Sequence, residues 1–377
     1  MKYLYVINSS EFFCSHFFHV ANSILEKGHE VHIACGDSVR AEDIEKAGMK
    51  FHLLKLDRKS RKIIYEFISI LSIRKIILSL QPQIIHFFTI KPVLYGCLSC
   101  RLLYSTYSPR IIIASVTGLG SLYLSNSFFE KFAWFLVKII YKFSFNNPDV
   151  KVVFENENDL DLFTNEHIVN KKQSNLINGA GVDTSLFIPS QVKNDKFTVV
   201  LVARLLKDKG ISEYIEAGRL LKEREIDVIL QLVGDIDEHN ISSMSRGQII
   251  EADSHGYIQY LGHRNDIYNI YKQAHVGCLP SYREGLPKSL IEATSCGLAI
   301  ITTDVPGCRQ IIHTDEYGSN GILVPAQNEI ALADAIEFLY HNQSIAKDMG
   351  ERSRTIALEK FDMSKVKQKF HELYYIH

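Results

Sequence analysis

The stretch HVGCLPSYREGLPKSLIEATSCGLAIITTD, residues 275–304, contains a complete strand–helix–strand unit. HVGCLPS is a short apolar run that predicts a buried strand, and LAIITTD predicts a second one. Between them, Pro287 suits the first position of a helix and Gly297 suits the position after its last turn. Two strands joined through a helix in this way lie parallel in one sheet, so the stretch predicts an α/β fold.

The same alternation of strand and helix runs through the whole chain. The first half has apolar runs at YLYVINSS, EVHIAC, PQIIHFF, RIIIASV and VKVVFE, and a helical pattern over residues 16–27 that Gly28 ends. The pattern restarts at FTVVLVARL and continues with a helix to about Glu223, then DVILQLVGD and YIQYLG. Because 377 residues are too many for one ordinary core, it predicts two doubly wound domains.

We place the first domain at residues 1–188, the second at 189–355 and a final helix at 356–377. The turn-like NGAGVD comes shortly before Ile188-Pro189-Ser190, which favours a domain boundary there. FDMSKVKQKFHELYYIH, at the end of the chain, has a helical pattern.

The composition is that of a folded protein. Hydrophobic residues make up 46% of the chain and charged residues 23%, and no apolar run reaches the ~18 residues of a membrane-spanning helix. Basic residues outnumber acidic ones before residue 189, which favours an anionic partner for the first half. Cys97 and Cys100 form a CxxC without a second pair, so we expect packed helix residues rather than a metal site. We find no signal peptide and expect a cytoplasmic protein.

Charged residues follow two strands of the second half, where open α/β sheets bind ligands. Arg204 and Lys209 come after FTVVLV, and two cations there can neutralise a diphosphate. Gly285 and Leu286 precede the helix that starts near Pro287, whose free N–H groups and dipole favour an anion. For Arg204 and Lys209 taken alone, the alternative is an ordinary solvated loop.

Two glutamates bracket the start of that helix. Glu284 precedes it, and Glu292 lies roughly 7–8 Å beyond Pro287 along the helix axis. That is about the distance from a diphosphate to the ribose of its nucleoside, and a carboxylate can accept from ribose hydroxyls. Glu284 would then lie beside a donor sugar. The spacing predicts a nucleotide-sugar site; the alternative is two surface glutamates that flank a helix.

Several motifs of the second half resemble the C-terminal domain of glycosyltransferase family 4. They are VARLLKDKG, LVGD, YLGHRNDI, LPSYREGLPKSLIEATSCGLAIITTDVPGCRQII and NGILVP. The resemblance implies the GT-B fold, in which two Rossmann-like domains face each other across a cleft and a C-terminal helix returns to the N-terminal domain. It also implies retention of anomeric configuration, with no essential metal and no cofactor.

The resemblance further implies roles for individual residues. Arg204 and Lys209 match the residues that hold the diphosphate, while Glu284 and Glu292 match those that contact the sugar and the ribose. Arg204, Lys209 and Glu284 are therefore also candidates for catalysis, in which the cations would stabilise charge on the leaving diphosphate. The loops that would border the base contain Gly234, Asp235, Gly262 and His263.

The first half resembles a branch of the family that builds bacterial capsule and O-antigen chains, through EFFCSHFFHVANSILEKGHEVHIAC, HFFTIKPVLYG and VTGLGS. The resemblance implies an acceptor side that contains Ser15, His16, His86, Thr89, Lys91 and Thr117. Asn8-Ser9-Ser10 departs from the branch's glycine-rich loop, and Phe88 and Thr117 stand where many relatives have histidine. His16 and His86 are candidates for an acceptor-binding or catalytic role, with structural histidines as the alternative.

A basic and aromatic helix is predicted over residues 127–145, SFFEKFAWFLVKIIYKFSF. Lys131, Lys138 and Lys142 fall within about 40° of one another around this helix. Trp134 and Phe135 flank them, and a broad apolar face lies opposite. The pattern is typical of a helix in a membrane interface, and anionic lipids attract such groups. Four further cations add to the charge: Arg58, Lys59, Arg61 and Lys62. The alternative is a domain helix whose apolar face packs on the sheet.

Together these patterns predict a retaining glycosyltransferase, peripheral on the inner face of the membrane, that moves a sugar from a UDP-sugar to a lipid-linked glycan. Nucleic acid is not an expected partner. One alternative is a sugar-nucleotide epimerase of the same fold, and another is a non-catalytic subunit that binds nucleotide-sugar or membrane. A dehydrogenase is disfavoured because no G-x-G-x-x-G follows the first strand of either half.

Overall fold

The computed structural model describes residues 1–56, 63–103, 106–119, 128–237 and 242–375. The chain forms two compact units. The first unit comprises Met1–Ala180 and Val366–His377, and the second comprises Gly181–Lys365.

The first unit is built on a parallel sheet. Its strands are β1 Lys2–Ile7, β2 Glu30–Cys35, β3 Lys50–Leu53, β4 Ile84–Phe88, β5 Ile111–Val116, β6 Val150–Phe154 and β7 Ser174–Leu176. They lie in the order β3-β2-β1-β4-β5-β6-β7, so the direction of winding reverses between β1 and β4. β4 and β5 are buried along their whole length because helices cover both faces of the sheet.

The helices of the first unit pack on the two faces of this sheet. They are α1 Ser10–His16, α2 Phe18–Glu26, α3 Ala41–Lys46, α4 Ile63–Leu80, α5 Ile90–Leu103, α6 Phe128–Phe145 and α7 Glu157–Asn165. Helices α4, α5 and α6 cover one face, over a core that includes Val6, Ile85 and Ile112. Helices α1 and α2 cover the other face, over Tyr5 and Ile33.

The predicted helix over residues 16–27 is in fact the end of α1 followed by α2. Phe17 lies between them with a φ of −126°, outside the helical range, and is buried. Its ring packs 4.1 Å from that of Phe88, centroid to centroid. We attribute the break to this packing, a tertiary contact that the periodicity of the sequence does not contain.

The second unit is built on a parallel sheet of six strands and a short antiparallel hairpin. The strands are β8 Phe197–Val202, β9 Val228–Val233, β10 Gln259–Gly262, β11 Val276–Leu279, β12 Ala299–Thr303, β13 Thr314–Asp315, β14 Gly318–Ser319 and β15 Gly321–Val324. The main sheet has the order β10-β9-β8-β11-β12-β15, and β13 pairs with β14. The helices are α8 Ile211–Glu223, α9 Arg246–Ser254, α10 Ile267–Gln273, α11 Lys288–Ser295, α12 Glu329–His341 and α13 Gln343–Ile356.

The last helix, α14 Met363–Tyr374, belongs to the first unit from Val366 onward. Val366, Phe370 and Tyr374 are buried in the core on the α1–α2 face of the first sheet. The Tyr5 hydroxyl donates to the Tyr374 hydroxyl over 3.1 Å. The prediction of two Rossmann-like sheets, with a C-terminal helix that returns to the N-terminal domain, is therefore confirmed.

The compact units divide the chain at Ala180 and Gly181, whereas the sequence suggested residue 188. Residues 181–188 are held by backbone bonds within the second unit. The Val182 N–H donates to the Phe361 carbonyl, and the Met363 N–H donates to the Val182 carbonyl, both over 2.9 Å. The Ser295 hydroxyl also donates to the Phe187 carbonyl over 2.6 Å. The second unit therefore begins before the predicted residue 189 and continues beyond the predicted residue 355.

Candidate functional site

Two loops at the carboxyl ends of adjacent strands, β8 and β11, are joined in the second unit. The Tyr282 N–H donates to the Asp208 carbonyl over 2.9 Å. Gly210 has a φ of +73°, and a Cβ there would lie 2.1 Å from the Pro280 carbonyl oxygen. Only glycine permits this close approach, so the basic loop after β8 is fixed against the loop that begins SYREGL.

This junction brings Lys209 and Glu284 together. Lys209 Nζ lies 2.5 Å from Glu284 Oε1, and the side chains are only 21% and 12% exposed. The Ser281 hydroxyl also donates to Glu284 Oε1, over 2.7 Å. Ser281 is itself buried, and its carbonyl accepts from the Thr303 hydroxyl. Glu284 is thus held in place by a cation and a buried hydroxyl, of which the sequence analysis identified only the cation.

Helix α11 begins directly after this loop. Pro287 precedes its first residue in an extended conformation, with φ −72° and ψ 110°, so it is one position earlier than predicted. Gly297, predicted just past the helix end, has a φ of +69°. Gly285 and Leu286 therefore lie immediately before the first turn, whose N–H groups have no partner within the helix.

Glu292 lies in the buried part of α11, with 7% of its surface exposed. Lys288 Nζ lies 2.6 Å from its Oε1, and the two side chains are 26% and 10% exposed. Lys288 is the main residue of this region that the sequence analysis missed. Its signal is its spacing, because a lysine four residues before a glutamate lies on the same helix face.

Arg204 and the residues expected beside the base lie at the ends of β8, β9 and β10, which are neighbours in the sheet. Arg204 Nη1 lies 3.6 Å from Asp237 Oδ2, with the arginine side chain 48% exposed. The Gly234 N–H donates to the Gly262 carbonyl over 3.0 Å. His263 Nδ1 lies 3.2 Å from Asp235 Oδ2, and both side chains are largely exposed.

The predicted donor residues therefore occupy one edge of one sheet. The order β10-β9-β8-β11 places the loops of His263, Asp235, Arg204 and Glu284 side by side. Within this edge, Arg204, Lys209 and Lys288 each have a carboxylate partner inside the protein. An anionic ligand would compete with those carboxylates for the three cations.

His86, the predicted acceptor-side histidine, lies inside the first sheet. It is 1% exposed, in the middle of β4. Its Nδ1 lies 2.8 Å from the Tyr374 hydroxyl and its Nε2 lies 2.7 Å from the Ser115 hydroxyl. Burial holds the pKa of His86 well below the ordinary value of histidine. These are the contacts of a neutral structural histidine, and a role toward an acceptor stays a prediction.

Thr89, Lys91 and Thr117 follow the carboxyl ends of β4 and β5. Thr89 has a φ of +67°, which a β-branched residue rarely adopts, and its buried Oγ1 has no hydrogen-bond partner among the described residues. Lys91 Nζ lies 2.8 Å from Glu66 Oε1. These three of the predicted acceptor-side residues lie at the edge of the sheet where ligands bind in such folds.

Ser15 and His16 lie at the end of α1. The Ser15 hydroxyl lies 2.7 Å from His16 Nδ1, and the His16 ring stacks on Phe12 with centroids 4.0 Å apart. Asn8-Ser9-Ser10 leads from β1 into α1: the Gly36 N–H, just after β2, donates to the Asn8 carbonyl over 3.2 Å, and the Arg40 N–H donates to the Ser10 hydroxyl oxygen over 3.0 Å. The departure from a glycine-rich loop is therefore accommodated by side-chain hydrogen bonds.

The residues predicted to face a membrane have different environments. Lys131 and Lys142 are exposed, Lys138 pairs with Glu166 over 2.9 Å, and Trp134 packs against the core beneath α6. Four of the predicted cations lie outside the described residues: Arg58, Lys59, Arg61 and Lys62. Within the described residues, none of the helices combines the length and apolar character needed to cross a membrane.

The described part of the chain contains no group of three or more His, Cys, Asp or Glu residues placed to hold a metal ion. Cys97 and Cys100, the CxxC of the sequence, are buried in α5 as free thiols. Burial raises the pKa of both thiols, so they are packed core residues.

Two protein-family models match the chain and together span most of it. The model described as "Glycosyl transferases group 1" matches residues 183–356, and the model described as "Glycosyl transferase 4-like" matches residues 2–156. The chain belongs to this glycosyltransferase family. The family resemblance and its enzyme class, a glycosyltransferase, are thereby confirmed.

Curated relatives match over nearly the full length of this glycosyltransferase. One is the N,N'-diacetylbacillosaminyl-diphospho-undecaprenol alpha-1,3-N-acetylgalactosaminyltransferase of Campylobacter jejuni, 26% identical over 94% of this chain and 93% of the relative. Another is the UDP-Gal:alpha-D-GlcNAc-diphosphoundecaprenol alpha-1,3-galactosyltransferase of Escherichia coli, 22% identical over 92% of this chain and 88% of the relative.

A solved structure, Anabaena Alr3699/HepE in complex with UDP-glucose, has the same fold. It superposes with a TM-score of 0.75 at 16% identity, over 99% of both chains. At this level of identity the likeness concerns the fold alone, which is GT-B.

Proposed function

We propose that this glycosyltransferase retains anomeric configuration and moves a hexose or N-acetylhexosamine from a UDP-sugar to a saccharide on an undecaprenyl-diphosphate type lipid. The observation that carries the proposal is the Lys209–Glu284 pair between the loops of β8 and β11, directly before the N-terminus of α11. The printed names of two full-length relatives, which both specify diphospho-undecaprenol acceptors, support the choice of acceptor.

In this proposal the donor diphosphate binds between Arg204, Lys209 and the free N–H groups of α11. The diphosphate replaces Glu284 as the partner of the Lys209 ammonium, which leaves the Glu284 carboxylate to accept from a hydroxyl of the donor sugar. Glu292 accepts from the ribose hydroxyls, with Lys288 on its Oε1. Gly234, Asp235, Gly262 and His263 border the base.

The transfer step breaks the bond between the sugar C1 and the diphosphate oxygen and forms a bond from C1 to the acceptor oxygen on the same face. The proton of the acceptor hydroxyl passes to the departing phosphate oxygen. Negative charge grows on the diphosphate during this step, and Arg204, Lys209 and the helix N-terminus stabilise it. This step needs no protein general base and, we propose, no metal ion or cofactor.

The acceptor would bind at the carboxyl edge of the first sheet. Ser15, His16, Thr89, Lys91 and Thr117 are proposed to contact it. His86 would act on the acceptor only through Ser115 or Tyr374, because both of its ring nitrogens bond to those hydroxyls. We further propose that the enzyme works as a peripheral protein on the inner face of the plasma membrane, where lipid-linked saccharides are extended.

The proposal is tested with the purified full-length protein, a panel of UDP-sugars and polyprenyl-diphosphate-linked saccharides, with products read by mass spectrometry. We expect a mass increase of one sugar on the lipid-linked acceptor, and UDP as the second product, in the presence of EDTA. Lys209→Met should abolish transfer, whereas Lys196→Met, which removes an exposed ion pair of the same unit, should not.

The test also separates the alternatives. UDP-sugar binding without transfer to any acceptor would favour a non-catalytic subunit, and interconversion of the sugar would favour an epimerase. Transfer that Lys209→Met leaves unchanged would contradict the assigned donor site. A requirement for a divalent metal would contradict the proposed mechanism.

A further inference from the structure

The outward face of α6 is formed by large apolar side chains. Five of them are about half exposed: Phe132 at 55%, Phe135 at 52%, Leu136 at 45%, Ile139 at 51% and Phe143 at 48%. At 100° per residue these side chains fall within roughly 100° of one another around the helix. We call this set the α6 face. A surface helix of a soluble protein has polar residues in this position.

The α6 face is not the side that packs on the sheet. Trp134, Val137, Ile140 and Tyr141 belong to the core beneath the helix. Trp134, Val137 and Tyr141 point roughly opposite to the α6 face, and Ile140 lies beside its edge. The helix is thus apolar on two sides, and packing within the first unit uses only one of them.

A second helix on the same side of the first sheet has a similar outer surface. On α4, Ile64 is 63% exposed, Phe67 60% and Leu71 49%. Helix α5 packs against both α4 and α6, so the exposed surfaces of α4 and α6 belong to one layer of the unit. Exposed apolar surfaces of this size on one layer mark an interaction site.

The excess of basic residues in this layer favours an anionic partner. From Lys131 to the end of α6 there is no acidic residue. The basic residues of α4, α5 and α6 are Arg74, Lys75, Lys91, Arg101, Lys131, Lys138 and Lys142, against Glu66 and Glu130. Lys131 and Lys142 are exposed and border the α6 face on one side, and the Arg101 guanidinium lies 5.7 Å from the centre of the Phe143 ring.

Exposed aromatic and aliphatic side chains edged by lysines fit the boundary between headgroups and acyl chains of an anionic bilayer. The apolar groups enter the acyl boundary, and the lysines reach phosphate groups in the headgroup layer. We propose that the α6 face, assisted by Ile64, Phe67 and Leu71 of α4, docks the first unit on an anionic lipid surface, with α6 lying in the plane of the membrane. The proposal names the surface through which the enzyme would reach its peripheral location, and it rests on the proposed function for that location.

This docking surface differs from the one predicted from Lys131, Lys138, Lys142 and Trp134. Lys138 is engaged with Glu166, and Trp134 packs inward. The proposed contact is therefore mainly apolar, through the exposed residues of the α6 face, while Lys131 and Lys142 add the preference for anionic lipid.

The test is co-sedimentation of the full-length protein with vesicles of phosphatidylglycerol and phosphatidylethanolamine, and with vesicles of phosphatidylcholine alone. We expect binding to the anionic vesicles. Ile139→Ser with Phe143→Ser should lower the partition coefficient about tenfold for each residue, because each loses its buried apolar area. Lys131→Gln with Lys142→Gln should weaken binding to the anionic vesicles about fivefold for each lysine, with little effect on phosphatidylcholine.

Ile250→Ser with Ile330→Ser is the matched control, because both residues are 55% exposed but lie in the second unit. This control should bind vesicles like the parent. The same thermal midpoint for all variants would show that each is folded, as expected for exposed positions. Equal partition of the parent and the Ile139/Phe143 variant, or no binding of the parent to anionic vesicles, would overturn the proposal.

Light scattering in solution tests the other possible occupant, a second copy of the chain. A dimer that the Ile139/Phe143 variant dissociates would overturn the membrane assignment. A UDP titration of the same samples keeps the two proposals apart. A protein that binds UDP but not vesicles contradicts the docking face alone, and one that binds vesicles but no nucleotide contradicts the donor site alone.

Discussion

The carboxyl ends of the two sheets are lined by different kinds of side chain. In the second unit, Lys209 pairs with Glu284 and Lys288 pairs with Glu292, at 2.5 and 2.6 Å, in partly buried positions. In the first unit, the strand ends carry the hydroxyls of Thr89 and Thr117 and one charged pair, Lys91 with Glu66 at 2.8 Å, while His86 is enclosed in the sheet.

The difference fits the partners that the two units are proposed to bind. A diphosphate is the same highly charged group in every UDP-sugar, so paired cations at fixed positions serve it well. A saccharide is neutral and varies from one enzyme to another, and hydroxyl groups can bond to it without a fixed charge. The charged edge is accordingly the part of the site that motifs reveal, and the hydroxyl-lined edge is where this chain departs from its branch.

The largest effect is expected from Glu284→Gln. The change removes the charge that faces Lys209 and the proposed sugar contact, so kcat for transfer should fall about 10²–10³-fold at saturating donor. Initial rates with the UDP-sugar that the panel selects measure it. Glu216→Gln, which disrupts an ion pair with Arg219 on α8, is the control and should keep the parent rate. Full activity of Glu284→Gln would contradict the assignment of the charged edge of the second sheet to the donor.

A smaller effect with a different signature is expected from Glu292→Gln. A ribose contact is present before and during transfer, so KM for the donor should rise roughly tenfold to a hundredfold while kcat changes little. Lys288→Met should shift KM in the same direction by less, and Lys288→Arg should restore it, because Lys288 positions Glu292. If kcat falls and KM is unchanged, Glu292 does not hold the ribose.

Tyr374→Phe tests the enclosed part of the first unit. The variant removes the hydroxyl that bonds to His86 and Tyr5, and should lower the unfolding free energy by about 1–3 kcal/mol. Denaturation followed by the fluorescence of Trp134, the one tryptophan, reports on this unit. Tyr317→Phe, at a residue 74% exposed in the second unit, should change nothing. An unaltered midpoint for Tyr374→Phe would mean that this network adds no stability.

The smallest effect concerns pH. Because the pKa of His86 is lowered in the folded state, the unfolded chain takes up a proton first as the pH falls below about 6.5. Stability contributed by neutral His86 is therefore present above that pH and is lost below it, at up to about 1.4 kcal/mol per pH unit. His86→Gln should flatten the decline of the unfolding free energy between pH 7.5 and 5.5 by this amount. Parallel curves for parent and variant would contradict the buried neutral state.

Strand positions were predictable because a continuous apolar run marks a parallel strand with both faces covered. EVHIAC coincides with β2, and the helix after Gly210 ends at Glu223 as predicted. The neighbourhood of Lys209 and Glu284 also follows from strand order, since both come directly after strands of one sheet.

Other features depend on tertiary packing that no local pattern contains. Helix α6 is apolar almost all round, so its periodicity could not tell which side faces the sheet and which faces outward. The break at Phe17 and the domain boundary at Ala180 follow from contacts distant in sequence. His86, in contrast, could have been recognised as buried, because it lies within the apolar run IIHFF.

The most direct test of the donor site is an isothermal titration of UDP into the parent protein, Lys209→Met, Glu292→Ala and the Lys196→Met control. We predict that UDP binds the parent and the control equally, and that each site variant loses roughly tenfold or more in affinity. ADP and NAD should not bind the parent. No UDP binding by the parent, or equal binding by all four proteins, would contradict the assignment of Arg204, Lys209, Glu284 and Glu292 to a nucleotide-sugar site.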